Sequence, residues 1–279
     1  MRIARFRRAG TTSWGLVAPG GLVVDRRELG IPEPDVRSFI ASGRRAEAPA
    51  GAAGAPLDEL ELLPPVELGK VVCAGANFGA HRAEAGVDPD RPAYPTIFTR
   101  YPDAHVGHDV DIVRPGASER FDYEGELAVI IGRPARGVPM ATAMDHVYGY
   151  ACFDDGSARD WQTRASQWIP GKNFERSGSI GPVLVTVDEV PAIGDSWLVA
   201  RVNGEERRRA RIQDMLFPIA ELIAYISAFT PLEPGDVIAT GTPGGVGLFM
   251  DPPVFLEPGD VVEVEIDGVG LLRNRIARG

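Results

Sequence analysis

The segment FDYEGELAVIIGR (121–133) decides how this chain is read. Its second half is an unbroken apolar run of one strand's length closed by glycine, the pattern of a buried strand. Successive side chains of a strand project to opposite faces, so Glu124 and Glu126 share a face, with Asp122 in register behind them. Two carboxylates side by side at the mouth of a buried strand repel each other unless a cation or protons intervene. An all-oxygen donor set suits a hard ion, Mg²⁺, Mn²⁺ or Ca²⁺. A solvated acidic strand end has the same spacing, and the segment alone does not separate the two.

Comparable short apolar runs punctuate the rest of the chain. KVVCAGA (70–76), TIFTR (96–100), VYGYACF (147–153), GPVLVTV (181–187), WLVARVNG (197–204), DVIATG (236–241), DVVEVEI (260–266) and GLLRNRI (270–276) all favour strands. Helical patterns are fewer, at 79–86, 139–145, 156–165 and 217–228. Strands without a regular β-α alternation argue against a doubly wound sheet or an eight-stranded α/β barrel. The expected class is mixed α+β, mainly β. Residues 1–65 read as a small β-rich lead-in domain, with strands at MRIARF, SWGLVA and GGLVVD and a short helix over Asp35–Ala41. The run AEAPAGAAGAP (46–56) reads as a linker or loop, and Pro64-Pro65 as a boundary before a catalytic domain over 66–279.

At 279 residues the chain can bury a sizeable core. A net charge of −10 argues against nucleic acid or an anionic membrane surface as partner. It does not exclude a small anionic substrate, because a bound cation dominates its local field. Cys73 and Cys152 sit in apolar runs and make no disulfide framework, which points to a reducing, cytoplasmic setting. The opening MRIARFRRAG lacks the apolar core of a signal peptide. No apolar run reaches the roughly 18 residues of a membrane span. Of 29 basic residues only Lys70 and Lys172 are lysines, a weak hint that each is needed as lysine.

Two further segments carry chemistry. In CFDDGSARDWQ (152–162), Asp154 or Asp155 could cap a helix, with Ser157 or Asp160 in its first turn. Alternatively, Asp155 is the third carboxylate beside Glu124 and Glu126. In CAGANFGAHRAEAG (73–86), His81 and Glu84 lie three apart and share a face on a helical turn. A carboxylate against an imidazole orients it and raises its basicity, as a general base requires; an exposed His-Glu pair fits equally. His105 and His108 have similar spacing, but Gly107 favours a loop over a zinc pair. TGTPGGVG (240–247) lacks the Lys-Ser/Thr ending of a phosphate loop, so its glycines are expected to let backbone approach a ligand closely. The run Glu205–Arg211 reads as a solvated strand edge or turn.

Together these segments resemble the fumarylacetoacetate hydrolase family over about residues 66–279. KVVCAGANFGAHRAE looks like its strand followed by Asn-Tyr-x-x-His-x-x-Glu, with Asn77 and Phe78 in the first two places. FDYEGELAVIIGR is similar to its Asp-Tyr-Glu-x-Glu-Leu segment, and GYACFDDGSARDWQ to its Gly-Tyr-x-x-x-Asn-Asp-x-Ser-x-Arg-Asp-x-Gln segment. GKNFERSGSIGP, PGDVIATGTPGGVG and PGDVVEVEIDGVGLLRN follow in the family's order. The resemblance implies a mixed β-roll, a homodimer, and Mg²⁺ (or Mn²⁺ or Ca²⁺) on Glu124, Glu126 and Asp155. It implies His81 with Glu84 as the acid/base pair, Lys172, Arg159 and Gln162 around a developing oxyanion, and Tyr150 and Thr242 on the substrate. The implied reaction is hydrolysis of a C–C bond in an acylpyruvate or β-diketo acid. The alternative is isomerisation, tautomerisation or decarboxylation of a hydroxydienoate or oxaloacetate at the same site. Three positions depart from the pattern: Phe78 for Tyr, Asp154 for Asn, and Arg100 for Lys. Arg100 is expected to pair with a distal substrate carboxylate.

Overall fold

The computed structural model describes residues 1–279. Its centre is the strand Gly125–Ile131, buried along its whole length as its apolar run requires. Val147–Asp154 pairs antiparallel on one side and Val237–Ala239 on the other. From there the sheet runs through Val71–Gly75 to Thr96–Arg100 at one end. In the other direction it runs through Gly178–Thr186 to the N-terminal strands Arg2–Arg8, Thr11–Val17, Leu22–Asp25 and Ala55–Pro56. Twelve strands make this sheet, counting two short ones off the main path.

A second sheet of five strands packs on one face, in the order Glu205–Arg211, Trp197–Val202, Val261–Ile266, Gly270–Arg278 and Ile112–Arg114. Side chains alternate along Gly125–Ile131, so the main sheet is apolar on both sides. Leu127, Val129 and Ile131 meet Leu198, Val264 and Leu272 of the second sheet, together with Leu222 and Ile223 of the helix Ile219–Phe229. Ala128 and Ile130 meet Trp14, Leu16 and the helix Val36–Ser42. That helix starts where expected: the Asp35 carboxylate caps it by accepting from Ser38 N at 2.7 Å. No helix is long and apolar enough to cross a membrane.

Two expectations change. Residues 1–65 extend the main sheet rather than standing apart: Ile3 pairs with Leu184, and Ile3, Trp14 and Leu16 lie in one core with Ala128 and Phe153. The helix over 156–165 shrinks to Arg159–Gln162. Ser157 and Ala158 are drawn into a two-stranded ribbon with Asp122 and Phe121, and this pairing overrides the local helical pattern. The ribbon brings the acidic segment and Arg159 together. Glu205–Arg211 is an edge strand, in keeping with its charge.

Candidate metal centre

Strand register assembles the site. Gly125 pairs with Asp154, and Asp155 N donates to Glu124 O at 2.9 Å, so a third carboxylate arrives beside the first two. Glu124, Glu126 and Asp155 are buried, and one oxygen from each lies within 4.8 Å of the others. Gly125, between the glutamates, faces the second sheet: a Cβ there would come within 3.1 Å of Ala200 and 3.2 Å of Val264.

Three cations enter the cluster. Lys172 Nζ donates to Glu124 Oε2 and Asp155 Oδ2, both at 2.7 Å. Arg159 donates through Nη1 to Glu124 Oε1 at 2.6 Å and through Nε to Asp122 Oδ2 at 2.9 Å. Arg100 Nη1 donates to Asp155 Oδ1 at 2.5 Å, and its Nη2 to Ser177 Oγ at 2.7 Å. Glu126 has no ion pair and accepts from Gly241 N at 2.8 Å. Burial pushes its carboxyl well up, and the Asp155 and Glu124 carboxylates push it further. Burial opposes ionisation of Glu124 too, but Lys172, Arg159 and His81 hold it below the usual range. Asp154, with Oδ1 accepting from Glu124 N at 3.0 Å, is pushed by burial up to about 7.

With every carboxylate ionised the cluster is short of positive charge, and burial otherwise drives Glu126 and Asp154 towards their neutral forms. Five buried carboxylates (Asp122, Glu124, Glu126, Asp154, Asp155) face three buried cations (Arg100, Arg159, Lys172). A divalent ion on Glu124, Glu126 and Asp155 closes that difference, and the carboxylate donors suit a hard metal. The residues present fit such an ion.

Beside the triad stands the His81–Glu84 pair. His81 Nδ1 lies 2.7 Å from Glu84 Oε1, in the short helix Gly79–Glu84. The ring's Nε2 is the nitrogen left to act. Asn77 fastens the base of this helix: its amide donates to Thr240 O at 2.8 Å and to Phe217 O at 3.1 Å, and its Oδ1 accepts from Phe217 N. Gln162 accepts from Arg159 Nη1 at 3.0 Å, so its Nε2 is the donor to spare. Arg159 Nη2 is buried without a partner.

The structure corrects other placements. Arg100 is 1% exposed and both its Nη atoms go to protein acceptors, so they hold Asp155 rather than reaching a distal substrate carboxylate. Tyr150 lies in the core with Leu127 and Val129, while its neighbours Ala151 and Phe153 lie in the core beyond the other face of the sheet. That orientation takes Tyr150 away from any substrate on the carboxylate side. Thr242 is buried next to Gly241, the amide that holds Glu126. The glycines of 240–247 approach Glu126 and Glu84 rather than a phosphate. His105 and His108 form no pair: His105 Nδ1 meets Tyr101 O, and His108 Nδ1 accepts from Arg273 N, each at 3.0 Å. Lys70 binds Asp236 and Pro231 O away from the site, so Lys172 alone of the two lysines belongs to it.

Comparison with known proteins agrees with this site. The family profile of the fumarylacetoacetate (FAA) hydrolase C-terminal domain matches residues 70–277. The mitochondrial oxaloacetate tautomerase FAHD2A of Homo sapiens is 42% identical over 224 residues, covering 79% of this chain and 71% of that protein. A fumarylacetoacetate hydrolase from Exiguobacterium antarcticum superposes with a TM-score of 0.90 at 34% identity over the whole of both chains. The fumarylpyruvate hydrolase of Pseudomonas aeruginosa, solved with Mn²⁺ and pyruvate, gives a TM-score of 0.71 at 32% identity over 85% of this chain and 99% of its own. With three quarters of its length matched by the profile and its buried acidic triad in place, the chain belongs to the fumarylacetoacetate hydrolase family of enzymes.

Proposed function

We propose that the protein is a Mg²⁺-dependent hydrolase that cleaves a carbon–carbon bond of an acylpyruvate, a small anionic 2-oxo acid. The observation that carries this reading is the His81–Glu84 pair, joined at 2.7 Å with Nε2 free. Held by Glu124, Glu126 and Asp155, the ion supplies Lewis acidity towards an enolisable 2-oxo acid.

The protein's own groups do the rest. Glu84 accepts a hydrogen bond from Nδ1–H of His81, fixing the tautomer and stabilising the imidazolium that forms. His81 Nε2 takes a proton from water, and the oxygen attacks the acyl carbonyl. Gln162 Nε2 and Arg159 Nη2 donate to the oxyanion. The C–C bond then breaks, the acyl group leaves as a carboxylic acid that gives its remaining proton to solvent, and His81 returns its own proton to the enolate carbon, giving pyruvate. Lys172 balances Glu124 and Asp155 throughout.

A second reading, tautomerisation of oxaloacetate or isomerisation of a related dienoate, is favoured by the similarity to FAHD2A. It needs only proton transfer by His81 and no attacking water. The test is a panel of fumarylpyruvate, other acylpyruvates, oxaloacetate and a hydroxymuconate-type dienoate, with and without Mg²⁺, on wild type and His81→Ala. Hydrolysis predicts acylpyruvate turnover that falls at least about a hundredfold in His81→Ala. Full acylpyruvate hydrolysis by that variant would sink the reading. Turnover of oxaloacetate or the dienoate alone would favour the second.

A further inference from the structure

The segment carrying the metal carboxylates also carries a side chain that the reaction above leaves unused. Tyr123 sits between Asp122 and Glu124, yet its ring packs in the small core of Phe121, Val202 and Leu256. Its hydroxyl is a hydrogen-bond donor. Its acceptor is the carbonyl of Gly245 at 2.8 Å. The amide of Gly245 donates to both oxygens of Glu84, at 2.8 and 3.1 Å. Glu84 in turn holds Nδ1 of His81. One glycine is thus gripped by a tyrosine of the carboxylate segment and by the carboxylate of the acid/base pair.

The surroundings leave this loop little slack. At Gly244 (φ +99°) a Cβ would come 3.1 Å from Glu84 Oε1. At Gly245 (φ +74°) it would come 2.7 Å from Arg207 O, on the edge strand behind. Both positions need glycine for conformation and for space. Further along, Asp122 accepts from the amides of Gly247 and Leu248 at 2.9 and 3.0 Å.

We propose that Tyr123 is a positioning residue for the His81–Glu84 pair, acting through Gly245, which keeps the proton-moving group in register with the metal-binding carboxylates. The proposal rests on the reading that this pair moves the proton, whether from water or from carbon. It predicts coupling between a residue of the metal segment and a histidine that it does not touch. Simple packing by the tyrosine ring predicts none.

Tyr123→Phe keeps the ring and removes only the donor. Assayed with Mg²⁺ on whichever substrate the wild type turns over, it is expected to lower kcat about tenfold, the weight of one hydrogen bond. KM and the rise in Tm caused by Mg²⁺ stay unchanged. Combined with His81→Ala, the substitution adds no further loss, so the double-mutant cycle shows full coupling. Hydrogen exchange at the Gly245 amide speeds up in Tyr123→Phe, a readout independent of turnover. An unchanged kcat, a loss that adds in full to that of His81→Ala, or unchanged exchange at Gly245 would each overturn the proposal. If His81→Ala is impaired while Tyr123→Phe is not, the positioning role alone falls. If His81→Ala keeps full activity on every substrate, the functional reading falls and takes the positioning role with it.

Discussion

Glutamates two residues apart occur on two strands of this protein: Glu124 and Glu126 at the head of the central strand, and Glu263 and Glu265 in Val261–Ile266. Both pairs project to one face, as the period of two demands. Glu265 is 44% exposed and meets Arg201 at 2.7 Å, and Glu263 lies 3.9 Å from Arg273, each an arginine of a neighbouring strand. Water and ordinary surface ion pairs satisfy this pair. Glu124 and Glu126 are buried, and the adjoining strand end delivers Asp155 to their side. Spacing decides which side chains share a face. What the neighbouring strands bring to that face decides whether it is surface or site.

Breaking the buried pair should have the largest effect. Glu126→Gln is expected to cost several kcal/mol of transition-state stabilisation, about a thousandfold in Mg²⁺-dependent turnover. The same substitution should leave Tm of the metal-free protein close to that of wild type, since burial and the neighbouring carboxylates already favour the neutral form of Glu126 there. At a hundred times its Kd, Mg²⁺ should stabilise wild type by about 2.7 kcal/mol. Glu126→Gln should gain much less at that concentration, as read by thermal denaturation with and without the ion. Equal gains would mean that the triad does not hold the metal.

Next in size is Arg100→Met, which leaves Asp155 with one cation in place of two. Losing one partner of a buried ion pair typically costs about 3–5 kcal/mol, measurable by urea unfolding. A loss below about 1 kcal/mol would show that Arg100 is not needed to hold Asp155. Smallest is the surface pair: Glu263→Gln and Glu265→Gln should each change stability by less than about 0.5 kcal/mol and leave turnover intact. A large effect there would erase the contrast.

The comparison also explains what the sequence made legible. Strand and helix positions were readable because apolar runs and Gly-Pro punctuation are local. Even the short helix near Asp35–Ala41 was visible, though the capping role of Asp35 was not. Glu124, Glu126 and Asp155 stood out only as acids that could equally have been surface groups. Their common role rested on motif order until the register of Gly125 against Asp154 put them together. Arg100 was misplaced because its partner lies 55 residues away and nothing local marks the pairing. Tyr150 was misplaced because its motif says nothing about which side of the sheet it faces. Tyr123 was passed over, although its place between two acids hid a side chain pointing into a different core. The apparent break at Pro64-Pro65 suggested a separate lead-in domain because strand pairing across the sheet leaves no trace in composition.

That pairing has a consequence during synthesis. Arg2–Arg8 pairs on one edge with Thr11–Val17, available almost at once; on its other edge Phe6 and Arg7 pair with Glu61–Leu62, and Arg2 and Ile3 with Gly178–Thr186, which the ribosome makes about 180 residues later. At roughly 5–20 residues per second, the start of this strand waits on the order of ten to forty seconds with that edge open before its long-range partner exists. Over that interval the nascent chain exposes Ile3, Trp14 and Leu16, which it later buries completely. Slower translation lengthens the exposure and a trigger-type chaperone shortens its effect, so yield in a cell should depend on elongation rate more steeply than the stability of the finished fold would suggest.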